Sequence, residues 1–313
     1  MDKLKAWIAT TPYYNYELSV ASADASFRKY YRLTKAQKSF IVMDSSLELD
    51  ALKPFLDVTA RLLKAGVKAP QIFEENLQQG YLILEDFGND ALLSLLDAEN
   101  YKHFYTKAID TIISMQNAST KALPLYDKKF LHFEMDLMQE WYLEKKLGIT
   151  LDDKSQKLLT STLNTISEIV LEQPQHLFVH RDFHSRNIMI TPEHELGVID
   201  YQDAMSGAIT YDLVSLLKDC YISFDREEIL KLVLLFKEKK GLDVEDARFI
   251  KWFDFMGMQR HIKVLGIFSR LHLRDKKDGY LKDIPLTLSY TLDAMRRYEE
   301  TKRLATYLKE VTQ

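Results

Sequence analysis

The sequence predicts an α+β fold in which a small β-rich N-terminal lobe precedes a larger, mainly helical C-terminal lobe. Two observations lead to this prediction. Short runs of β-branched and aromatic residues, bounded by turn residues, are concentrated in the first 88 residues. Beyond Gly88, apolar residues recur at helical spacing over longer segments that end at glycine or before proline. We therefore expect the lobes to span residues 1–88 and 89–313, joined by a short hinge.

The N-terminal lobe is expected to contain strands and one helix. The helix is predicted over 47–65, because leucines recur there at helical spacing and Gly66 follows as a stop. Runs typical of strands lie at 28–33, 39–43, 71–73 and 81–84.

The C-terminal lobe is expected to be built from helices around a few short strands. Three short apolar runs in its middle, 177–179, 188–190 and 196–199, are typical of strands. Helical patterns cover 91–96, 101–117, 131–147, 153–172, 211–223, 226–240, 244–273 and 285–311.

A polar motif lies between the first two of these short strands. His180, Arg181, Asp182 and Asn187 form the pattern H-R-D-x-x-x-x-N, and Asp200 follows the third strand 18 positions after Asp182. This is the pattern of kinase catalytic loops, in which the aspartate accepts the proton of the acceptor hydroxyl and the asparagine holds a metal ion. A turn between two strands, followed by an acid after another strand, would bring two carboxylates and an amide together. The motif therefore predicts a protein-kinase-like fold and phosphoryl transfer.

Composition narrows the classes of partner. The 313 residues are 46% hydrophobic and 28% charged, with a net charge of −4, so neither nucleic acid nor an anionic membrane is an expected partner. No uncharged apolar run approaches the roughly 18 residues of a membrane-spanning helix, and the N-terminus lacks the apolar core of a signal peptide. Cys220 is the only cysteine, which excludes an internal disulfide and suits a reducing compartment. We expect a cytoplasmic protein; the sequence makes no prediction of its oligomeric state.

The motif and its surroundings resemble a known superfamily, that of the aminoglycoside phosphotransferases and choline kinases. The segments VHRDFHSRN (179–187), GVIDYQDA (197–204) and ITYDLVSLLKDCY (209–221) are similar to one branch, the anomeric kinases of bacterial cell-wall recycling. QRHIKVLGIF (259–268) and YLKDIP (280–285) also resemble that branch. Members of the branch phosphorylate N-acetylmuramate and N-acetylglucosamine at the C1 hydroxyl, so the resemblance implies an ATP-dependent amino-sugar kinase.

The resemblance also implies roles for the loop residues. Asp182 would be the catalytic base. Asn187 and Asp200 would hold Mg²⁺ against the phosphates of ATP. His180 would support the loop, and Asp212 would either brace it or be an ordinary acid at a helix N-terminus.

Nucleotide binding is expected to depart from protein kinases. No glycine precedes Gly66, so a glycine-rich phosphate loop is absent, and the strand at 40–44 reads FIVMD instead of containing V-A-I-K. We expect the segment 22–27 to cover the phosphates and Arg28, Lys29 or Arg32 to replace the lysine charge. The predicted nucleotide-binding residues are Ser26, Phe27 and Arg28, with the main chain of Glu85 to Phe87 facing adenine.

Charge near the acceptor site indicates the class of substrate. Residues 250–277 contain seven basic residues and two acids, which suits the lactyl carboxylate of N-acetylmuramate better than a polycationic aminoglycoside. Arg260 and Lys263 lie three residues apart on one predicted helix face and, with Asp203, are the candidate acceptor-binding residues; the alternative for the two basic residues is a solvated helix face. The segment 85–99, with five acids and no basic residue, is a contrary signal, because it could form an acidic lip that suits a cationic acceptor.

Two alternatives remain open on sequence grounds. One is a kinase with a different small acceptor, such as an aminoglycoside, choline or homoserine. The other is a catalytically silent nucleotide-binding protein, since the glycine-rich loop and the V-A-I-K lysine are missing.

Overall fold

The computed structural model describes residues 1–22 and 28–312, and the chain divides into two compact units. The first unit combines Met1–Leu95 with Arg186–Asp203, and the second combines Leu96–Ser185 with Ala204–Gln313. The first contains a small antiparallel sheet and the second is mainly helical, which confirms the predicted α+β class. The lobe limits 1–88 and 89–313 stay a prediction.

The first unit is organised by a five-stranded antiparallel sheet with strand order β1-β2-β3-β5-β4. Helix α1 (Asp2–Ile8), which no pattern in the sequence predicts, is only seven residues long and places Leu4, Trp7 and Ile8 in the core of this unit. Packing rather than helix propensity therefore stabilises α1. Strand β1 was also not predicted. The elements are α1 (Asp2–Ile8), β1 (Glu17–Ser22), β2 (Lys29–Lys35), β3 (Lys38–Asp44), a 3-10 turn (Leu49–Ala51), α2 (Leu52–Lys64), β4 (Ile72–Asn76), β5 (Tyr81–Glu85) and a 3-10 turn (Leu92–Ser94).

The later segment of the first unit forms a hairpin of β7 (Ile188–Ile190) and β8 (Leu196–Val198). The hairpin is fixed to the earlier segment by main-chain hydrogen bonds, among them Val198 N–H to the Lys68 carbonyl at 2.8 Å. The following Tyr201 stacks on Phe55 of α2 and lies 2.8 Å from the Thr59 hydroxyl. Residues on either side of Asp200 are thus held by the sheet unit.

The second unit is arranged around one long helix, α8, most of which is buried. The predicted strand at 177–179 is present as β6 and pairs antiparallel with β9, a strand not predicted. Over the described ranges, no helix has the length and apolar character needed to cross a membrane. The elements are α3 (Tyr101–Met115), α4 (Lys128–Leu137) continuing as a π-helix (Met138–Lys146), α5 (Asp153–Glu172), β6 (Leu177–Val179), β9 (Met205–Gly207), α6 (Tyr211–Leu217), α7 (Arg226–Lys239), α8 (Asp246–Leu273), a 3-10 turn (Asp278–Asp283), α9 (Ile284–Met295) and α10 (Lys302–Thr312).

Several predicted helices differ from the structure. The helix expected over 91–96 is only the 3-10 turn Leu92–Ser94, and the helix expected over 131–147 continues as a π-helix from Met138. The helix predicted over 211–223 ends at Leu217, because the buried carboxylate of Asp219 turns back to accept hydrogen bonds from Ser185. Cys220 consequently lies after the helix and is buried there. The single helix predicted over 285–311 is two helices, α9 and α10. The Thr301 hydroxyl donates to the Met295 carbonyl at 2.7 Å in the break between them.

Candidate active site

The catalytic-loop motif follows β6 directly and is held by its main chain. The N–H groups of His180 and Arg181 donate to the two carboxylate oxygens of Asp212, at 2.8 and 3.1 Å. Arg181 has φ +80°, a left-handed conformation that non-glycine residues adopt at a cost of about 1–3 kcal/mol. The two hydrogen bonds therefore hold a strained turn, and the role of Asp212 as a brace of the loop stays a prediction.

Asp212 itself lies at the start of α6 and is almost completely buried. Burial raises its pKa to about 6, although the charge of His180 and the two N–H donors favour the carboxylate. A carboxylate that accepts two main-chain N–H groups is a structural anchor.

Asp182 is the partly exposed acid of the loop, with 43% of its side chain accessible, and it forms an ion pair with Arg260 Nη2 at 3.8 Å. Partial burial would raise its pKa, but the positive charges of Lys263 and Arg260 outweigh this effect and hold the pKa of Asp182 well below its usual value. The side chain is therefore an ionised hydrogen-bond acceptor at neutral pH. It can orient a hydroxyl group, but it is a weak base.

The end of the loop is fixed by a second buried acid. Asp219 accepts hydrogen bonds from both the main-chain N–H (3.0 Å) and the hydroxyl of Ser185. Asp212 and Asp219 thus anchor the loop before and after Asp182, leaving the Asp182 side chain partly exposed.

The first unit contains a cavity of about 420 Å³, within the usual range for small-ligand sites. Apolar side chains line part of the cavity, and polar residues of the segments 85–89 and 187–202 line the rest. The lining residues are Ala21, Tyr30, Arg32, Ile41, Phe55, Pro70, Leu84, Glu85, Asp86, Phe87, Gly88, Asn89, Asn187, Met189, Ile199, Asp200, Tyr201 and Gln202.

Asn187 and Asp200 line this cavity side by side, with Asn187 Nδ2 3.3 Å from Asp200 Oδ2. Asp200 has φ +64°, so the chain turns sharply at this residue directly after the hairpin. Gln202 Nε2 donates to the other oxygen of Asp200 at 2.9 Å. One carboxylate and one amide are oxygen donors suited to a hard cation such as Mg²⁺, which takes its remaining ligands from phosphates and water. Among the residues described, no three His, Cys, Asp or Glu side chains cluster to form an all-protein metal site.

The predicted hinge acids have basic partners. Glu85 pairs with Lys68 at 2.7 Å, and Asp86 pairs with Arg32 Nε at the same distance. The Glu85 hydrogen bond raises the pKa of Lys68. These pairings leave less negative charge at 85–99 than the sequence indicates, so the case for an acidic lip is weaker.

The predicted phosphate-binding residues are only partly described. Ser26 and Phe27, with most of the expected covering loop at 22–27, lie outside the described residues. Arg28 is buried, whereas Lys29 is exposed. Arg32 lines the cavity and is the candidate there for the missing lysine charge.

The predicted acceptor residues have different environments. Arg260 and Lys263 are both buried, at 3% exposed, so they are not a solvated face of α8. Arg260 lies beside Asp182, while Lys263 Nζ lies 3.3 Å from Glu134 and donates to the Tyr211 hydroxyl at 3.0 Å. Asp203 is exposed and lies in the first unit. Its acceptor-binding role stays a prediction.

Sequence reasoning missed Glu134. This acid lies in α4, 46 positions before the motif's first residue, and is 3% exposed. A single polar residue in an amphipathic helix carries no local signal of burial, and only the tertiary structure brings it to the loop.

Comparisons with known proteins identify the chain's relatives. The family model described as "Phosphotransferase enzyme family" matches residues 17–238. The N-acetylmuramate/N-acetylglucosamine kinase of Neisseria meningitidis is 39% identical, covering 99% of this chain and 95% of that protein. The enzyme of the same name from Pseudomonas aeruginosa is 35% identical over 95% of this chain and 89% of its own length. Among solved structures, a choline/ethanolamine kinase family protein from Mesorhizobium loti has a TM-score of 0.67 at 12% identity, covering 97% of each chain. This likeness confirms the kinase-like fold.

Proposed function

The chain belongs to the phosphotransferase enzyme family, and from that premise we propose that it is an ATP-dependent kinase of N-acetylmuramate and N-acetylglucosamine. The transfer would be to the anomeric C1 hydroxyl, in peptidoglycan recycling. The observation that carries the acceptor assignment is the pairing of partly exposed Asp182 with buried Arg260 at 3.8 Å. One group can accept a hydrogen bond from a hydroxyl, and the other can attract an anion.

The nucleotide would occupy the cavity of the first unit. Adenine would lie on the apolar lining and hydrogen-bond to the main chain at 85–87, with Arg32 near the phosphates. Asn187 and Asp200 would hold Mg²⁺, whose charge offsets that of the phosphates when it is bound. This assignment is supported by the donor chemistry and by the 3.3 Å separation of their side chains.

Asp182 would orient the anomeric hydroxyl and receive its proton as the phosphoryl group is transferred. A carboxylate with a depressed pKa removes protons weakly, which suits a loose transition state in which proton transfer is late. An anomeric hydroxyl is more acidic than an ordinary alcohol, so it demands less of such a base. The acidity of the acceptor and the weakness of the base therefore match.

Arg260 would provide selectivity through the lactyl carboxylate, which N-acetylmuramate has and N-acetylglucosamine lacks. Its Nε is buried without a hydrogen-bond partner, and its guanidinium can form charge-assisted bonds to a second carboxylate. A polycationic aminoglycoside would place positive charge against Arg260. This electrostatic conflict argues against the antibiotic-kinase alternative.

The proposal is tested by ADP release from ATP with N-acetylmuramate, N-acetylglucosamine, kanamycin and choline as separate acceptors. We expect turnover with the N-acetyl sugars, well above the rate without acceptor. Turnover with only kanamycin or choline would contradict the proposal, and no turnover with any acceptor would favour the catalytically silent alternative.

Replacing Arg260 by Ala tests the acceptor assignment. The loss of the guanidinium should lower kcat/KM for N-acetylmuramate about tenfold or more relative to N-acetylglucosamine, because a charge-assisted hydrogen bond contributes about 1.5–3 kcal/mol. The ratio cancels any shared effect on Asp182. Arg248→Ala, which removes a 58% exposed arginine in the first turn of α8, should leave the ratio unchanged. An unchanged ratio in Arg260→Ala would remove Arg260 from the acceptor site.

A further inference from the structure

A buried acid outside the catalytic motif connects helix α4 to the catalytic loop. The Glu134 carboxylate is 3% exposed and is surrounded by hydrogen-bond donors. Arg181 Nη2 lies 2.5 Å from its Oε1 atom and Lys263 Nζ lies 3.3 Å from the same atom. The Tyr126 hydroxyl and Gln259 Nε2 donate to Oε2. We call Glu134, Arg181 and Lys263 the buried triad.

The charges of the triad are mutually dependent. Burial would raise the pKa of Glu134, but Lys263 and Arg181 outweigh it and lower that pKa below its usual value. Burial would lower the pKa of Lys263, but the charge of Glu134 outweighs it and raises that pKa. Removing one member from such a group leaves an uncompensated buried charge. Glu134 is therefore needed to keep Arg181 and Lys263 in place.

The triad acts on the residue next to Asp182. The main-chain N–H of Arg181 is held by Asp212, and its side chain is held by Glu134. Its φ of +80° is unfavourable, so these two restraints help to hold the conformation. Since Asp182 follows directly, its side-chain direction is set by how Arg181 is held.

A close approach of two helices explains why Glu134 reaches the triad. A Cβ atom on Gly266 of α8 would lie 2.4 Å from the Leu137 carbonyl carbon in α4, so only glycine permits the observed spacing. Glu134 precedes Leu137 by three residues, and Lys263 precedes Gly266 by three. The carboxylate and the ammonium group thus lie one helical turn from the point of closest backbone contact.

We propose that Glu134 is a positioning residue, which holds Arg181 so that Asp182 faces the acceptor, and that Lys263 belongs to this triad and not to the acceptor-binding groups. The proposal rests on the proposed function in one respect, that Asp182 acts on the acceptor. Glu134 therefore affects the rate of transfer and has no effect on acceptor selectivity. Lys263 is reassigned because its Nζ is already committed to Glu134 and the Tyr211 hydroxyl.

The kinetic test is Glu134→Gln, compared with Glu168→Gln, which removes an acid that is 64% exposed on α5. With active sites counted by nucleotide binding, we expect kcat to fall about 10- to 100-fold in Glu134→Gln, because a small misplacement of a catalytic group can cost about that much. KM for ATP and the N-acetylmuramate to N-acetylglucosamine ratio of kcat/KM should not change. An unchanged kcat, or a changed selectivity ratio, would overturn the proposal.

A second variant separates positioning from loss of folding. If unpaired cations disturb the loop in Glu134→Gln, adding Lys263→Met should recover part of the lost kcat, because it removes one of them. If the double variant is slower by the product of the two single effects, the two residues act independently and the triad assignment is wrong.

Hydrogen exchange gives a readout that does not need the acceptor. Glu134→Gln should increase exchange of the main-chain amides at 180–185 and leave those at 187–200 as in the unsubstituted protein. Unchanged protection at 180–185 would overturn the proposal whatever the acceptor is. Failure of the amino-sugar assignment would appear separately, as absence of turnover of the N-acetyl sugars by the unsubstituted protein.

Discussion

At the residue scale, the two aspartates that meet at the catalytic loop have opposite pKa shifts. Neighbouring cations hold the pKa of Asp182 well below its ordinary value, whereas burial raises that of Asp212 to about 6. Two acids whose surroundings shift their pKa values in opposite directions can serve different roles. Asp182 is a partly exposed carboxylate, whereas Asp212 accepts hydrogen bonds from the main chain of His180 and Arg181.

Asp182→Asn tests whether Asp182 accepts the proton of the acceptor hydroxyl. The amide keeps the size of the side chain but cannot accept a proton, so kcat should fall roughly 10²–10⁴-fold. Nucleotide affinity, measured by calorimetry with ADP, should be nearly unchanged, because Asp182 is not among the residues that line the cavity of the first unit. Turnover within a few-fold of the original rate would exclude Asp182 as the base.

The pH dependence of kcat tests whether the Asp212 carboxylate holds the catalytic loop. As the pH falls through about 6, Asp212 takes up a proton and loses acceptor capacity for the two loop N–H groups, so kcat should decline there. Asp182 cannot cause this decline because its pKa is well below its ordinary range. Since the folded pKa of Asp212 exceeds its ordinary value of 3.8, this group contributes stability that is present below about pH 4 and is lost as the pH rises through 6. Its protonation therefore favours the fold while activity declines.

Asp212→Asn is the control for this assignment. The variant should have a lower kcat near pH 8 and a flat profile between pH 5 and 7. If the decline near pH 6 persists in Asp212→Asn, another group causes it.

Sequence reasoning identifies candidate residues that form a local motif, and it misses those that only tertiary contacts bring to the loop. The spacing of Asp182, Asn187 and Asp200 is specific enough to predict a base and two metal ligands, and the structure places the latter two side by side. Glu134 could not be found, because burial of one acid in a helix depends on a neighbouring helix distant in sequence. The same holds for Lys263, whose partner decides whether it is available to a ligand.

At the scale of elements, helix α8 makes the contacts that connect α4 and the catalytic loop in the second unit. Arg260, Lys263 and Gly266 occupy successive turns of its buried central part, beside Asp182, Glu134 and Leu137 respectively. One helix therefore provides both the charge that keeps Asp182 ionised and the close packing that brings α4 to the catalytic loop.

Gly266→Ala should damage both stability and activity. Its Cβ would lie 2.4 Å from a main-chain atom of α4, so no side-chain rotation can relieve the contact and the helices must separate. We expect the free energy of unfolding to fall by about 1–3 kcal/mol or more, measured by urea denaturation, with a lower kcat.

The matched control is Gly257→Ala on the same helix. Outside its own helix, its Cβ would come no closer to another atom than 3.9 Å, from Val214 Cγ1, so the substitution should be neutral or stabilise by up to about 1 kcal/mol through helix propensity. Equal effects of the two substitutions would show that the approach of α4 to α8 is not the critical contact.

The predicted helix limits are correct where the periodicity and capping signals are strong, and they are wrong where tertiary contacts determine where a helix ends. Helix α5 has the predicted limits, because capping by Asp152 and the proline after its end are both local signals. The break between α9 and α10 has no such signal. A hydrogen bond from the Tyr298 hydroxyl to Asp254 at 2.8 Å, across 44 positions, helps to fix it.

At the scale of the whole molecule, the residues proposed to bind the nucleotide and those proposed to act on the acceptor lie in different compact units. The cavity proposed for the nucleotide, Asn187 and Asp200 belong to the sheet unit, and Asp182, Arg260 and the buried triad belong to the helical unit. The chain passes from one unit to the other between Ser185 and Arg186, inside the motif itself. The eight residues from His180 to Asn187 thus link the proposed base to a proposed metal ligand.

The position of the new phosphate on the product tests the central claim most directly. After incubation of the protein with ATP, Mg²⁺ and N-acetylmuramate or N-acetylglucosamine, the product is analysed by phosphorus–proton correlation spectroscopy. Transfer to the anomeric hydroxyl predicts coupling of the phosphorus to H1 and release of phosphate in mild acid. A product with its phosphorus coupled to the protons on C6, stable in the same acid, would contradict the account.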